Sequence, residues 1–183
     1  MEKFFLNKDD AALLIIDIQE RLASVMSAKE TVINNCLHLV ELSKLLDIPV
    51  IVTEQYAKGL GPTEEKIRNA LPFYQPVEKL AFSCCEEPLF LDSISRVNRK
   101  SLLLTGMETH ICILQTCISL LRNGYTVHVV NDAVCSRADD SRATALEFMR
   151  DAGAVITCTE TVLFQLLEVA GTEEFRMISK RIK

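Results

Sequence analysis

The 183-residue sequence contains no apolar run near the roughly 20 residues that a membrane helix needs. Met1–Asp10 mixes lysines, aspartates and phenylalanines. It lacks the basic start and apolar stretch of a secretory signal, and it is too acidic and too poor in arginine for a typical transit peptide. Basic residues are in deficit: 20 Lys and Arg stand against 25 Asp and Glu, for a net charge of −5. No basic stripe is present to follow a nucleic-acid backbone. These absences argue against a membrane or nucleic-acid partner. They make the cytoplasm the expected location, with an organelle left open.

Paired cysteine spacings are missing as well. The seven cysteines are an odd number, and Cys84 and Cys85 are adjacent, which is neither a redox C-x-x-C nor a zinc knuckle. Reduced thiols are the plain reading for most of them. There is no linker, repeat or low-complexity segment, so residues 1–183 read as one domain. Hydrophobic residues at 49% and charged residues at 25% suit a globular protein of that size.

What is present is an alternation. "AALLIID" (Ala11–Asp17) is a continuous apolar run, the mark of a strand covered on both faces. Ile33, Cys36, Leu37 and Val40 then recur at helical spacing. "VIVT" (Val50–Thr53) is a second strand, followed by the polar segment "EQYAKGLGPTEEK", a candidate substrate loop. "VEKLAF" (Val77–Phe82) reads as a short strand or strand end, and Pro88–Arg99 as a helix. "SLLLTG" (Ser101–Gly106) is a strand, and Thr109–Asn123 a helix stopped by Gly124. Tyr125–Asp132 is a strand, a helix starts at Asp139 or Asp140 and ends at Gly153, and Ala154–Cys158 is a last strand. Thr161–Ala170 and Glu173–Ile182 close the chain as helices. Alternating strands and helices imply right-handed crossovers and a parallel sheet with helices on both faces, an α/β fold. Ligands in such sheets bind outside the carboxyl ends of the strands.

Three residues at those ends carry chemistry. Asp17 closes the first strand, either as a turn or capping residue or as a buried carboxylate that needs a partner. Lys79 lies in "PVEKLAFS", either as a surface charge or as the cation that compensates Asp17. Cys112 sits in the first turn of a helix whose N-cap is placed at Thr109. It either packs, or is a thiol whose pKa is lowered by free N–H groups and the helix dipole. Cys117, on the stripe Ile113, Cys117, Leu120, Leu121, needs only to pack. A carboxylate, an ammonium and a helix-terminal thiol together suit nucleophilic attack on a carbonyl.

"LLIIDIQERL", "VEKLAFS" and "LLLTGMETHICILQTCISLLRNGYTVHVVNDAVCSR" resemble, in order, the three motif segments of the isochorismatase-like cysteine hydrolase superfamily, which includes nicotinamidases and carbamoylsarcosine amidases. The similarity runs from about Ala11 to Ile156. The resemblance implies catalytic Asp17, Lys79 and Cys112, and a six-stranded parallel sheet of order 3-2-1-4-5-6 in a three-layer α/β/α, Rossmann-like arrangement. It also implies a non-proline cis peptide at Met107–Glu108, with an oxyanion hole of the Glu108 and Cys112 N–H groups. It implies a homo-oligomer (dimer, tetramer or octamer) and a small-molecule substrate. Where nicotinamidases carry an aspartate and histidines for a metal, "TEQYAKGLG" has no D-x-H, so neither a metal nor a cofactor is expected. Isochorismatases proper lack the cysteine and cleave a vinyl ether; Cys112 therefore favours carbon–nitrogen hydrolysis through a thioester, with an ester or vinyl ether, or a weakly active binding scaffold, as alternatives. Gln19, Thr53, Gln55, Tyr56, Phe82, Thr109 and His110 are candidate pocket residues. His110, two residues from Cys112, does not face it along a helix and is placed in the wall or framework rather than as base. Asp132 and Arg137 are read as loop scaffolding or subunit contact, and Cys84 and Cys85 as passive.

Overall fold

A computed structural model describes residues 1–183. The chain runs β1 (Ala11–Ile16), α1 (Glu20–Ala23), α2 (Lys29–Leu45), β2 (Val50–Gln55), α3 (Ala57–Leu60), α4 (Glu65–Ala70), β3 (Val77–Lys79), α5 (Pro88–Val97), β4 (Ser101–Met107), α6 (Leu114–Arg122), β5 (Thr126–Cys135), α7 (Asp139–Asp151), β6 (Val155–Thr157), α8 (Thr159–Leu167) and α9 (Glu173–Arg181). The six strands form one parallel sheet of order β3-β2-β1-β4-β5-β6. Chain order reverses between β1 and β4, the position where such sheets open a crevice at their carboxyl ends.

Every residue of β1 and β4 is buried, as their unbroken apolar runs require. Alternate β1 residues feed two cores. Leu13 and Ile15 pack with Val32, Leu39 and Val40 of α2 and with Leu163 and Leu166 of α8. Leu14 and Ile16 pack with Phe90 and Ile94 of α5, Cys117 and Leu120 of α6, and Met149 of α7. Each fully buried Leu or Ile contributes about 1.5–3 kcal/mol relative to exposure, so β1 is fixed in register on both faces. Its Leu13 pairs with Val50 on one side and with Leu103 on the other.

Several boundaries differ from the sequence reading. β1 stops at Ile16, and Asp17 leaves the strand with φ 55. β3 is three residues long, and beyond it the Ala81 and Phe82 carbonyls turn back to accept from Lys79. The segment after β2 holds the short helices α3 and α4. It is pinned by the buried Glu54 carboxylate, which accepts hydrogen bonds from the Thr63 N–H (2.6 Å), the Thr63 hydroxyl (2.8 Å) and the Tyr74 hydroxyl. β5 continues to Cys135, past a register shift opposite Leu104–Gly106.

Gly106 is the tightest point of the sheet. Its φ is 131, and a Cβ there would lie 1.9 Å from the Ile16 carbonyl oxygen. Only glycine lets β4 pass this close to the end of β1. Gly106→Ala is expected to cost about 3 kcal/mol or more in urea unfolding; an unchanged unfolding midpoint would show that the contact is slack.

Candidate active site

The carboxyl ends of β1, β2 and β3 bring together the first two candidates. Asp17 is fully buried. Its N–H donates to the Thr53 carbonyl (3.2 Å) and its Oδ1 accepts from the Thr53 hydroxyl (2.7 Å). The left-handed backbone of Asp17, tolerated by a short polar side chain, turns the residue out of β1 at this edge. Its Oδ2 faces Lys79 Nζ at 2.7 Å. Lys79, 2% exposed, is the last residue of β3 and the register partner of Gln55. Its ammonium donates to Gln55 Oε1 (2.6 Å) and to the Ala81 and Phe82 carbonyls (3.3 and 3.2 Å). Burial by itself would lower the Lys79 pKa, but the Asp17 carboxylate and the neighbouring Cys84 and Cys112 outweigh it and the pKa is raised.

Cys112 reaches the same place from β4. The Met107–Glu108 peptide is cis, and Thr109–Ile113 forms a wide π turn before α6. Both Ile111 N–H and Ile113 N–H return to the Glu108 carbonyl (3.1 and 3.3 Å). Such turns inside helices are frequent at functional sites. The Cys112 side chain is 5% exposed. Burial raises its pKa first, and the charge of Asp17 and a side-chain hydrogen bond to it raise it further against the opposing pull of Lys79.

Two expectations are therefore corrected. Thr109 does not cap the helix: Glu108 holds the cap position, and the Thr109 hydroxyl is buried without a partner. Nor is the Cys112 pKa lowered: burial and the charge of Asp17 raise it. Desolvation and the adjacent Asp17 carboxylate favour the neutral thiol and outweigh the helix terminus. Its proton must leave as the sulfur attacks.

The pocket candidates divide. Gln19 is no pocket residue; fully buried, it clamps β2 to the loop, donating to the Gln55 and Gly61 carbonyls (3.0 and 2.6 Å) and accepting from Gln55 N–H (2.8 Å). Thr53 stands behind Asp17 and Gln55 behind Lys79, so each orients a charged group. Thr109 is fully buried. Tyr56 is exposed and lines a cavity of about 390 Å³ with Lys58, Glu78, Lys79 and Glu87. Phe82 is also exposed and lines a separate one of about 550 Å³ with Leu114 and Phe148. His110 bonds the Ser136 hydroxyl through Nδ1 at 2.9 Å. No group of three or more His, Cys, Asp or Glu side chains is arranged to hold a metal ion.

Three further contacts surround the site. Cys84, fully buried, places its sulfur 3.9 Å from the Thr53 hydroxyl, and burial and Asp17 push its thiol up to about 12. It remains chemically quiet but walls the ion pair. Thr116, on α6, holds the Cys84 N–H with its hydroxyl (3.0 Å). The Glu108 carboxylate grips Arg137, accepting from its backbone N–H (3.0 Å) and its Nε (3.1 and 3.2 Å). Nothing in the spacing of single residues signals these contacts, which depend on neighbouring strand ends. Asp132 is framework, its Oδ1 accepting from both the N–H and the hydroxyl of Thr159 (2.8 Å each).

Residues 11–161 match the isochorismatase domain family, and the chain belongs to it. It is 42% identical over 177 residues to the secreted isochorismatase effector Isc1 of Phytophthora sojae, covering 94% of this chain and 84% of that one. Among solved structures it resembles the MAR1 ribonuclease of Caenorhabditis elegans (TM-score 0.90, 36% identity, 97% and 92% of the two chains). It also resembles YcaC of Pseudomonas aeruginosa, solved with hexane-2,5-diol and covalent acrylamide (TM-score 0.91, 25% identity, 97% and 91%). The fold and these relatives make it an isochorismatase-family hydrolase of the cysteine hydrolase superfamily. No helix is long and apolar enough to cross a membrane.

The raised thiol pKa has a direct readout. The ultraviolet thiolate band of the wild type minus that of Cys112→Ala is expected to be absent up to pH 9, the ordinary thiol value, and to emerge only above it. A thiolate difference band at pH 7 would contradict the desolvated geometry.

Proposed function

We propose that the protein hydrolyses the carbon–nitrogen bond of a small amide through a thioester on Cys112. The observation that carries this reading is the meeting of one thiol with a buried carboxylate–ammonium pair at the sheet's switch point.

Cys112 Sγ attacks the amide carbonyl while its proton passes to Asp17. Negative charge moves from carboxylate to sulfur and then to the carbonyl oxygen. Lys79, 2.7 Å from Asp17, balances that charge at every stage, so the buried site stays near neutrality. This matters where charge is poorly screened. The Glu108 and Cys112 N–H groups stabilise the oxyanion. As the tetrahedral species collapses, Asp17 returns the proton to nitrogen, ammonia or an amine leaves, and a thioester remains. Water, deprotonated by Asp17, cleaves the thioester to the acid and restores the thiol.

The covalent acrylamide on the Pseudomonas relative supports a nucleophilic side chain in that protein, since acrylamide is a conjugate electrophile. The ribonuclease name of the nematode relative makes RNA a necessary comparison substrate. The net charge of −5 weighs against a polyanion. Homo-oligomerisation belongs to the same proposal and is read by sedimentation.

The test is a hydrolysis screen of small amides beside esters, vinyl ethers and an RNA oligonucleotide. Amide turnover is expected, and Cys112→Ala and Asp17→Asn should each lower kcat/KM by about 10³-fold or more. Turnover confined to RNA or vinyl ethers, or amide turnover kept by Cys112→Ala, would overturn the proposal.

A further inference from the structure

The segment that follows β3 is tied to the helix beside the nucleophile. It passes through Ala81 and Phe82, whose carbonyls accept from the Lys79 ammonium (3.3 and 3.2 Å). It then meets α6 at two points. The Cys84 N–H donates to the Thr116 hydroxyl (3.0 Å), and both residues are fully buried. The Ser83 hydroxyl donates to that of Ser119 (3.0 Å) and accepts from the Cys85 N–H (3.3 Å).

These ties close a ring of contacts around the reacting groups. Thr116 lies about one helical turn beyond Cys112, on the same face. From Thr116 the ring runs to Cys84, whose sulfur is 3.9 Å from the Thr53 hydroxyl. That hydroxyl holds Asp17 Oδ1 (2.7 Å), and Asp17 Oδ2 faces Lys79 Nζ (2.7 Å). Asp17 also bonds the Cys112 side chain, which completes the ring. The reaction steps use Asp17, Lys79 and Cys112 but give Thr116 no task. Deleting its hydroxyl leaves the Cys84 N–H buried and unpaired, which favours a backbone shift that finds it another partner. The Phe82 carbonyl is only two residues away, so such a shift reaches the ammonium directly.

We infer that Thr116 is a positioning residue for the reaction: its hydroxyl ties the segment that grips the Lys79 ammonium to the helix beside Cys112. The inference rests on the proposed hydrolysis and acts through the Cys84 backbone, with no contact to the substrate. Its chemical consequence follows from charge. Lys79 opposes the rise in the Cys112 pKa, so an ammonium drawn away makes the thiolate scarcer and attack slower. A Thr116 that only packed would act in the opposite sense, since loosening the segment would expose Cys112 and speed its modification.

The test is the rate of Cys112 alkylation by iodoacetamide at pH 9, the ordinary thiol value, read at Cys112 by fragmentation of its peptide. Thr116→Val, which deletes the hydroxyl, is expected to slow alkylation about tenfold, and Thr116→Ser to stay within about twofold of the wild type. Ser119→Ala, which cuts the second tie, should slow it about threefold. On an amide that the wild type turns over, Thr116→Val should lower kcat by a similar factor and leave KM within about twofold. Alkylation of Thr116→Val as fast as the wild type or faster, or Thr116→Ser as slow as Thr116→Val, would overturn the inference. Should Thr116→Val fail to fold, Ser119→Ala decides: an unchanged alkylation rate overturns the inference and a slowed one supports it. Failure of the underlying hydrolase reading shows separately, as absence of amide turnover by the wild type, while the alkylation rates still report on Thr116.

Discussion

A carboxylate and an ammonium 2.7 Å apart, both shut off from water, govern this structure. Removing either would strand the other charge in the interior, at a cost of about 3–5 kcal/mol. The protein surrounds the pair with groups that have few other tasks. Thr53 holds one carboxylate oxygen, Gln55 and two carbonyls hold the ammonium, and Gln19 fixes the strand end that carries Gln55. A buried ion pair is weak evidence for stability and better evidence for a role. Here the role follows from position, since the pair lies against the one thiol that the π turn delivers.

The pair also explains the state of the thiol. Burial and the Asp17 charge raise the Cys112 pKa, and Lys79, already matched to Asp17, pulls against them only in part. The proposed chemistry is thus proton transfer within a neutral triad, with Lys79 as the constant charge. Such a resting site is less open to oxidation, which requires thiolate character and access.

Much of the fold was legible because it rests on patterns of long range. Ala11–Ile16 is apolar without alternation, which only a central strand covered on both faces tolerates. Asp17, ending that run, and Lys79, in a short apolar stretch, drew notice as charges at the edge of a core. The resemblance then supplied the sheet order, which the strands obey. What escaped was set by three-dimensional neighbours. The clamp at Gln19, the wall at Cys84 and the Glu108–Arg137 pair all join segments distant in sequence, and the wide turn at Thr109–Ile113 follows the end of a buried strand. The ionisation of Cys112 was misjudged for a related reason: a helix terminus can be read from spacing, whereas burial and the distance to Asp17 cannot.

The most direct measurement of the central claim is rapid-quench mass spectrometry of the intact protein during its first turnover of an amide. The predicted result is a transient mass increase equal to the acyl group, mapped to the peptide of Cys112 and missing in Cys112→Ala. Hydrolysis in a single turnover with Cys112 unmodified throughout, and oxygen from labelled water entering the product directly, would contradict it.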